Sequence, residues 1–188
     1  MKLPIVAFGD AVLKKHCSGI DNEYPNLAEL IENMKDTMAG AQGVGLAAPQ
    51  IGKAIRLFII DSALMLDEDD DETEEIGVKE TFINAQILEE SGEEWCFEEG
   101  CLSIPDIKEN VFRKETILIE YFDETWTKQQ KTFNGLTARV IQHEYDHIEG
   151  VLFTDHLKPL KKRLLQKKLN KISEGKISPG YKMKYPRK

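Results

Sequence analysis

The segment QHEYDH (residues 142–147) ends a stripe made by Leu136, Val140, His143 and His147. Residues three and four apart share one face of a helix. Two apolar residues lead this face, so it turns inward, and imidazoles carried into a core are costly unless they find partners. A fold for this chain must therefore wrap other elements around this helix and bring something to His143 and His147. A metal ion is a natural partner, because side chains four apart lie about 5–6 Å from each other and can grip one ion. Glu144, about 100° round the helix, can then stand beside the ion and take a proton from bound water. Two histidines do not complete a catalytic metal site, and a third ligand must come from elsewhere.

The downstream sequence does not provide it in either of two familiar forms. A histidine three residues after Gly150 would complete a metzincin-like pattern, but Phe153 stands there. A glutamate on a later helix would complete a thermolysin-like one, and residues 156–173 contain no Asp or Glu. His156, just past the expected helix end, fits neither pattern and is expected to face solvent. The cysteines are Cys17, Cys96 and Cys101. A thiolate with two imidazoles suits zinc or iron(II) and leaves a position open for water. Cys101 follows a glycine in the strand-like region FEEGCLSIP and is the best candidate. Cys17, before Ser-Gly, and Cys96, in EEWCFEE where alternation can point it into the core, compete with it and read more simply as small buried or half-buried residues.

The rest of the chain outlines an α+β fold. YPNLAELIENMKDTMAGAQG repeats Leu27, Leu30 or Ile31, Met34 and Met38 at helical steps, with Asn22 or Asn26 to cap its start and Gly40 or Gly43 its end. IRLFIID (55–61) reads as a buried strand, TFINAQILEES and TILIEYFDE as further strands, and KQQKTFN as a shorter one paired nearby. A helix starting at Asn134 or Thr137 carries the two histidines and stops at Gly150. LKPLKKRLLQKKLNKIS is a final helix, with Leu160 and Leu164, then Leu157 and Ile172, expected to face inward. The order lacks regular βαβ alternation, which predicts mainly antiparallel sheets packed around the central metal-binding helix, with a C-terminal helix behind. At 188 residues the chain is one domain, 1–188. DEDDDETEE (67–75), eight acids in nine positions, is expected to be a surface loop. From His156 onward 12 Lys and Arg face the single acid Glu174, although the whole chain carries −8. That basic end suits an anionic partner. An odd number of cysteines without an export signal points to a reducing cytoplasm, and no apolar run is long enough for a membrane span.

Three motifs, GVGLAAPQ (43–50), EGCLS (99–103) and QHEYDH (142–147), resemble in this order the signature motifs of the peptide deformylase family. The resemblance covers most of the chain. It implies a hydrolase that removes the N-formyl group from the N-terminal methionine of nascent polypeptides and releases formate. Carried over by position, Cys101, His143 and His147 bind the metal, iron(II) in most of the family, with Zn2+, Ni2+ or Co2+ able to replace it. Metal-bound hydroxide would attack the formyl carbon with Glu144 as general base, while the Gln50 amide and the Leu102 backbone N–H meet the oxyanion. Val44, Phe97, Leu136 and Val140 are candidates for an apolar methionine pocket. Gly45 lies where the family pairs the substrate backbone, and Glu99 would orient neighbouring groups, with Arg113 as a candidate partner.

Three features stand outside those motifs. Ile148 replaces a leucine common in the family, the acidic run extends a loop, and SPGYKMKYPRK, within a basic tail at 176–188, is expected to be flexible and away from the motifs. In the family the C-terminal helix can dock on the ribosome, a contact that KKRLLQKKLNK would suit. Two rival readings remain at this level: another amidase or peptidase with the same ligands, and a structural zinc module that binds RNA through its tail.

Overall fold

The computed structural model describes residues 1–65 and 77–186, so the acidic run at 67–75 lies outside the described residues. In chain order the elements are β1 (Ile5–Val6), α1 (Leu27–Gly40), β2 (Gly45–Ala47), β3 (Leu57–Asp61), β4 (Lys79–Cys101), β5 (Ile104–Phe122), β6 (Lys128–Asn134), α2 (Gly135–Ile148), α3 (Pro159–Ser173) and β7 (Met183–Lys184). Among the described residues, β2-β3-β4-β5-β6 form one sheet in that order, with each neighbouring pair antiparallel. This is the expected α+β architecture, with α2 held inside it.

The apolar stripes explain the layering. On α1, Leu30, Ile31, Met34 and Met38 pack against Leu46, Leu57, Ile59 and Ile83. Asn26 occupies its N-cap position without a side-chain capping bond. On α2, Ala138, Val140, Ile141 and Ile148 pack into a cluster with Phe58, Phe82, Ile117, Ile119 and Phe133. Because α2 buries residues on several sides, it is a core helix, and polar groups on it must find partners inside the protein.

Strands β4 and β5 are far longer than their apolar portions suggested. Cross-strand pairing continues through their charged stretches, with register shifts that include one between Ser91 and Glu94 at Gly92, whose φ is +79°. At the far end Cys101 pairs with Ile104, so only Leu102 and Ser103 make the turn.

Three expectations fail here. Leu160 and Leu164 are 73% and 69% exposed, whereas Leu157 and Ile172 are buried as expected. The inward stripe of α3 is Leu165, Leu169 and Ile172, packed on Ile104, Ile107 and Val111. At about 100° per residue, Leu164 lies a quarter-turn off that stripe and Leu160 further still. Cys96 is exposed. Along β4, Trp95, Phe97, Glu99 and Cys101 share the covered face and Cys96, Glu98 and Gly100 the open one, so the alternation holds in the opposite phase. The tail is docked: β7 runs parallel to β1, with Ile5 opposite Met183 and Val6 opposite Lys184.

Candidate active site

Period-two placement brings Phe97, Glu99 and Cys101 from one face of β4 to the inward face of α2. There the ligand atoms of Cys101, His143 and His147 all lie within 4.8 Å of one another. Cys101 Sγ is 3.3 Å from His147 Nε2. His143 donates from Nδ1 to Glu99 Oε2 at 2.9 Å, which leaves its Nε2 as the ring atom for a metal. Cys17 is buried elsewhere and Cys96 points away, so neither joins the cluster.

The donor set fits a divalent cation. Burial alone would raise the Cys101 thiol, but His147 and His143 together bring it down to about 5, so a thiolate is present at neutral pH. His143 is raised well above its ordinary value: Cys101 and Glu99 hold a proton on it against the cost of burial. The cluster thus already stabilises a positive charge at the point where a cation would replace that proton. One thiolate and two imidazoles leave a coordination position open.

Glu144 stands beside this cluster and is buried. Its Oε2 has no hydrogen-bond partner among the described residues. Burial pushes its carboxyl up to about 7, with His147 and His143 opposing the rise. Such a group is suited to exchanging protons near neutral pH. Room for it comes from Gly45, where an added Cβ would collide with Glu144 Oε1 and stand 2.7 Å from its Cδ.

Gln50 is locked by its own turn. The Ala47 N–H donates to Gln50 Oε1 at 2.8 Å, so Nε2 is turned toward Cys101 Sγ, 3.4 Å away. Gln50, Val44, Gly45, Phe97, Glu99, Cys101, Leu102, Val140, His143 and Glu144 all line one cavity of about 780 Å³. Leu136, half-buried at the start of α2, does not line it.

Glu99 and Arg113 form a buried pair, not a surface one. Arg113 donates from Nε and Nη2 to the two Glu99 oxygens at 2.7 and 3.0 Å, and Arg139 Nη1 donates to Glu99 Oε1 at 3.0 Å. Burial would raise the Glu99 carboxyl, but His143 and Arg113 hold it well below the usual range. Arg113 also donates to Asp146 at 2.8 Å, and His156 Nε2 donates to the same Asp146 oxygen at 2.7 Å. Asp146 therefore has a structural role that the motif did not disclose. His156 is exposed as expected but belongs to a network leading to a site imidazole. Sequence reading missed Arg139, although its position four residues before His143 put it on the same helical face.

Known proteins share this arrangement of chain. A family model described as polypeptide deformylase matches residues 2–163. A peptide deformylase of Christiangramia forsetii is 58% identical over 99% of this chain and 97% of its own, and one of Flavobacterium johnsoniae 57% identical over 98% and 96%. Among solved structures, a peptide deformylase from Legionella pneumophila superposes with a TM-score of 0.80 at 36% identity, covering 94% of this chain and 98% of that one. One from Ehrlichia chaffeensis gives 0.84 at 28%, covering 94% and 99%. Since the family match takes in the strand and the helix that carry the metal donors, this chain belongs to the peptide deformylase family, whose members are metal-dependent hydrolases.

Proposed function

We propose that this protein removes the N-formyl group from the N-terminal methionine of nascent polypeptides in the cytoplasm, with Glu144 as its general base. The observation that carries this reading is a buried carboxylate with an unpartnered oxygen, directly beside a Cys-His-His donor cluster in an apolar-lined cavity. Cys101, His143 and His147 would hold iron(II), and zinc, nickel(II) or cobalt(II) suits the same donors. The bound cation supplies Lewis-acid polarisation of a water and of the formyl oxygen. Glu144 accepts a proton from the attacking water as its oxygen bonds to the formyl carbon, and delivers it to the nitrogen as the C–N bond breaks. Formate and a free amine result. Gln50 Nε2 and the Leu102 N–H are neutral donors for the charge developing on the formyl oxygen. Val44, Phe97 and Val140 offer an apolar surface to the methionine side chain. Leu136, outside the cavity, is a packing residue in this reading. Lys158 at the N-cap and Arg163, Lys167, Lys168 and Lys171 along α3 are exposed, which supports contact of this helix with an RNA surface such as the ribosome.

Iron(II)-loaded protein is expected to release formate from formyl-Met-Ala-Ser and to leave acetyl-Met-Ala-Ser essentially untouched. Comparable turnover of the acetylated peptide would defeat the idea of a pocket shaped for a formyl group. Gly45→Ala is expected to push the Glu144 carboxylate out of place and to slow formate release by about tenfold or more at equal metal content. Wild-type rates in that variant would mean that Glu144 does not need its observed position.

A further inference from the structure

Residues 177–186 lie beyond the part of the chain matched by the family model, yet they reach the same cavity. Ile177, Pro179, Tyr181, Met183 and Tyr185 are half-buried, alternating with exposed Ser178, Gly180, Lys182 and Lys184. This is the signature of an extended segment with one face laid on the protein. Backbone bonds fasten it: the Ile5 N–H donates to Lys182 O and the Ala7 N–H to Lys184 O, each at 2.9 Å. The adjoining Phe8 N–H donates to Ser103 O at 2.9 Å. The tail and the Leu102–Ser103 turn are therefore tied to the same short stretch of backbone.

A direct link joins them as well. The Tyr181 hydroxyl donates to the Leu102 carbonyl oxygen at 2.8 Å, and Pro179, Gly180 and Tyr181 line the cavity with Gln50, Cys101 and Glu144. We propose that Tyr181 is a positioning residue for deformylation: by holding the Leu102 carbonyl it fixes the two-residue turn whose N–H faces the formyl oxygen. The carbonyl and the N–H of Leu102 flank one Cα, so a hydrogen bond to the first limits rotation of the second. Burial pushes the Tyr181 phenol above its ordinary value, with Cys101 the next cause, so it remains a protonated donor. This inference rests on the deformylase reading above.

The test compares wild type, Tyr181→Phe and Glu144→Gln, each loaded with iron(II) to equal content, by formate release from formyl-Met-Ala-Ser. An oxyanion donor acts mainly in the transition state, so Tyr181→Phe is expected to lower kcat about five- to tenfold with KM unchanged. The phenyl ring keeps the cavity wall, and a Tm within a few degrees of wild type separates positioning from folding. Wild-type kcat in Tyr181→Phe overturns the proposal while leaving the deformylase reading in place. A fall in Tm with kcat per metal-loaded protein unchanged also overturns it, as a purely structural role. A wild type that releases no formate removes the deformylase reading and this one together.

Discussion

Glu144→Gln is expected to lower formate release by about 10³-fold, with metal content and fold retained, because general base catalysis is worth about 10²–10⁴. Glutamine has nearly the same volume and cannot accept the proton. The same substitution should stabilise the metal-free protein. Burial raises the Glu144 carboxyl from 4.5 to about 7, so the folded state binds a proton more tightly than the unfolded state. Stability therefore falls as pH rises between those values, and the loss is complete above about 7. At roughly 1.4 kcal/mol per pH unit, the cost reaches about 3 kcal/mol at pH 8. Melting curves of metal-free wild type and Glu144→Gln should converge near pH 4.5 and separate by pH 8, with the variant the more stable. Parallel curves across that range would show that Glu144 is not penalised by its surroundings.

Glu99→Gln should have the opposite effect on stability. It leaves Arg113 and Arg139 buried with no carboxylate between them, and removal of one partner from a buried ion pair costs about 3–5 kcal/mol. For a chain of this size that corresponds to a Tm lower by about 10 °C. Metal affinity should also drop about 10–100-fold, since Glu99 orients His143. The pH dependence has a definite sign. Glu99 is depressed in the folded protein, so its contribution is present above the ordinary carboxylate range and is lost as pH falls. The gap between wild type and variant should therefore shrink on acidification. A gap that widened toward low pH, or a variant as stable as wild type at pH 7, would contradict the arrangement of charges described here.

What could be read in advance depended on whether a signal was local. The i,i+4 histidines and the apolar lead of α2 are local, and they gave the buried helix and two metal donors. Cys101 emerged from elimination and motif likeness, because nothing in its neighbourhood says that β4 ends against α2. Arg139 and Asp146 each lie on α2, but their partners are Glu99 and Arg113 on β4 and β5, and such pairings follow only from strand register. Cys96 shows how narrow the margin is: a shift of one residue in phase exchanges the buried and exposed sets. Leu160 and Leu164 misled because α3 contains two leucine phases, and the surface made by Ile104, Ile107 and Val111 chose between them. The tail carried a readable sign, Ile177, Pro179, Tyr181, Met183 and Tyr185 at every second position, which its lysines and glycine obscured.

The parallel pairing of β1 with β7 bears on how this protein is made. Among the described residues, every α-helix and the whole antiparallel sheet are synthesised after Val6 and before Met183. Until that late segment emerges, the Ile5 and Ala7 N–H groups lack their strand partner, and contacts between such distant positions form slowly. The metal donors, all placed by earlier elements, can assemble first. The three donors stand on β4 and α2, so the order of synthesis delivers the ion-binding residues before the segment that walls the cleft.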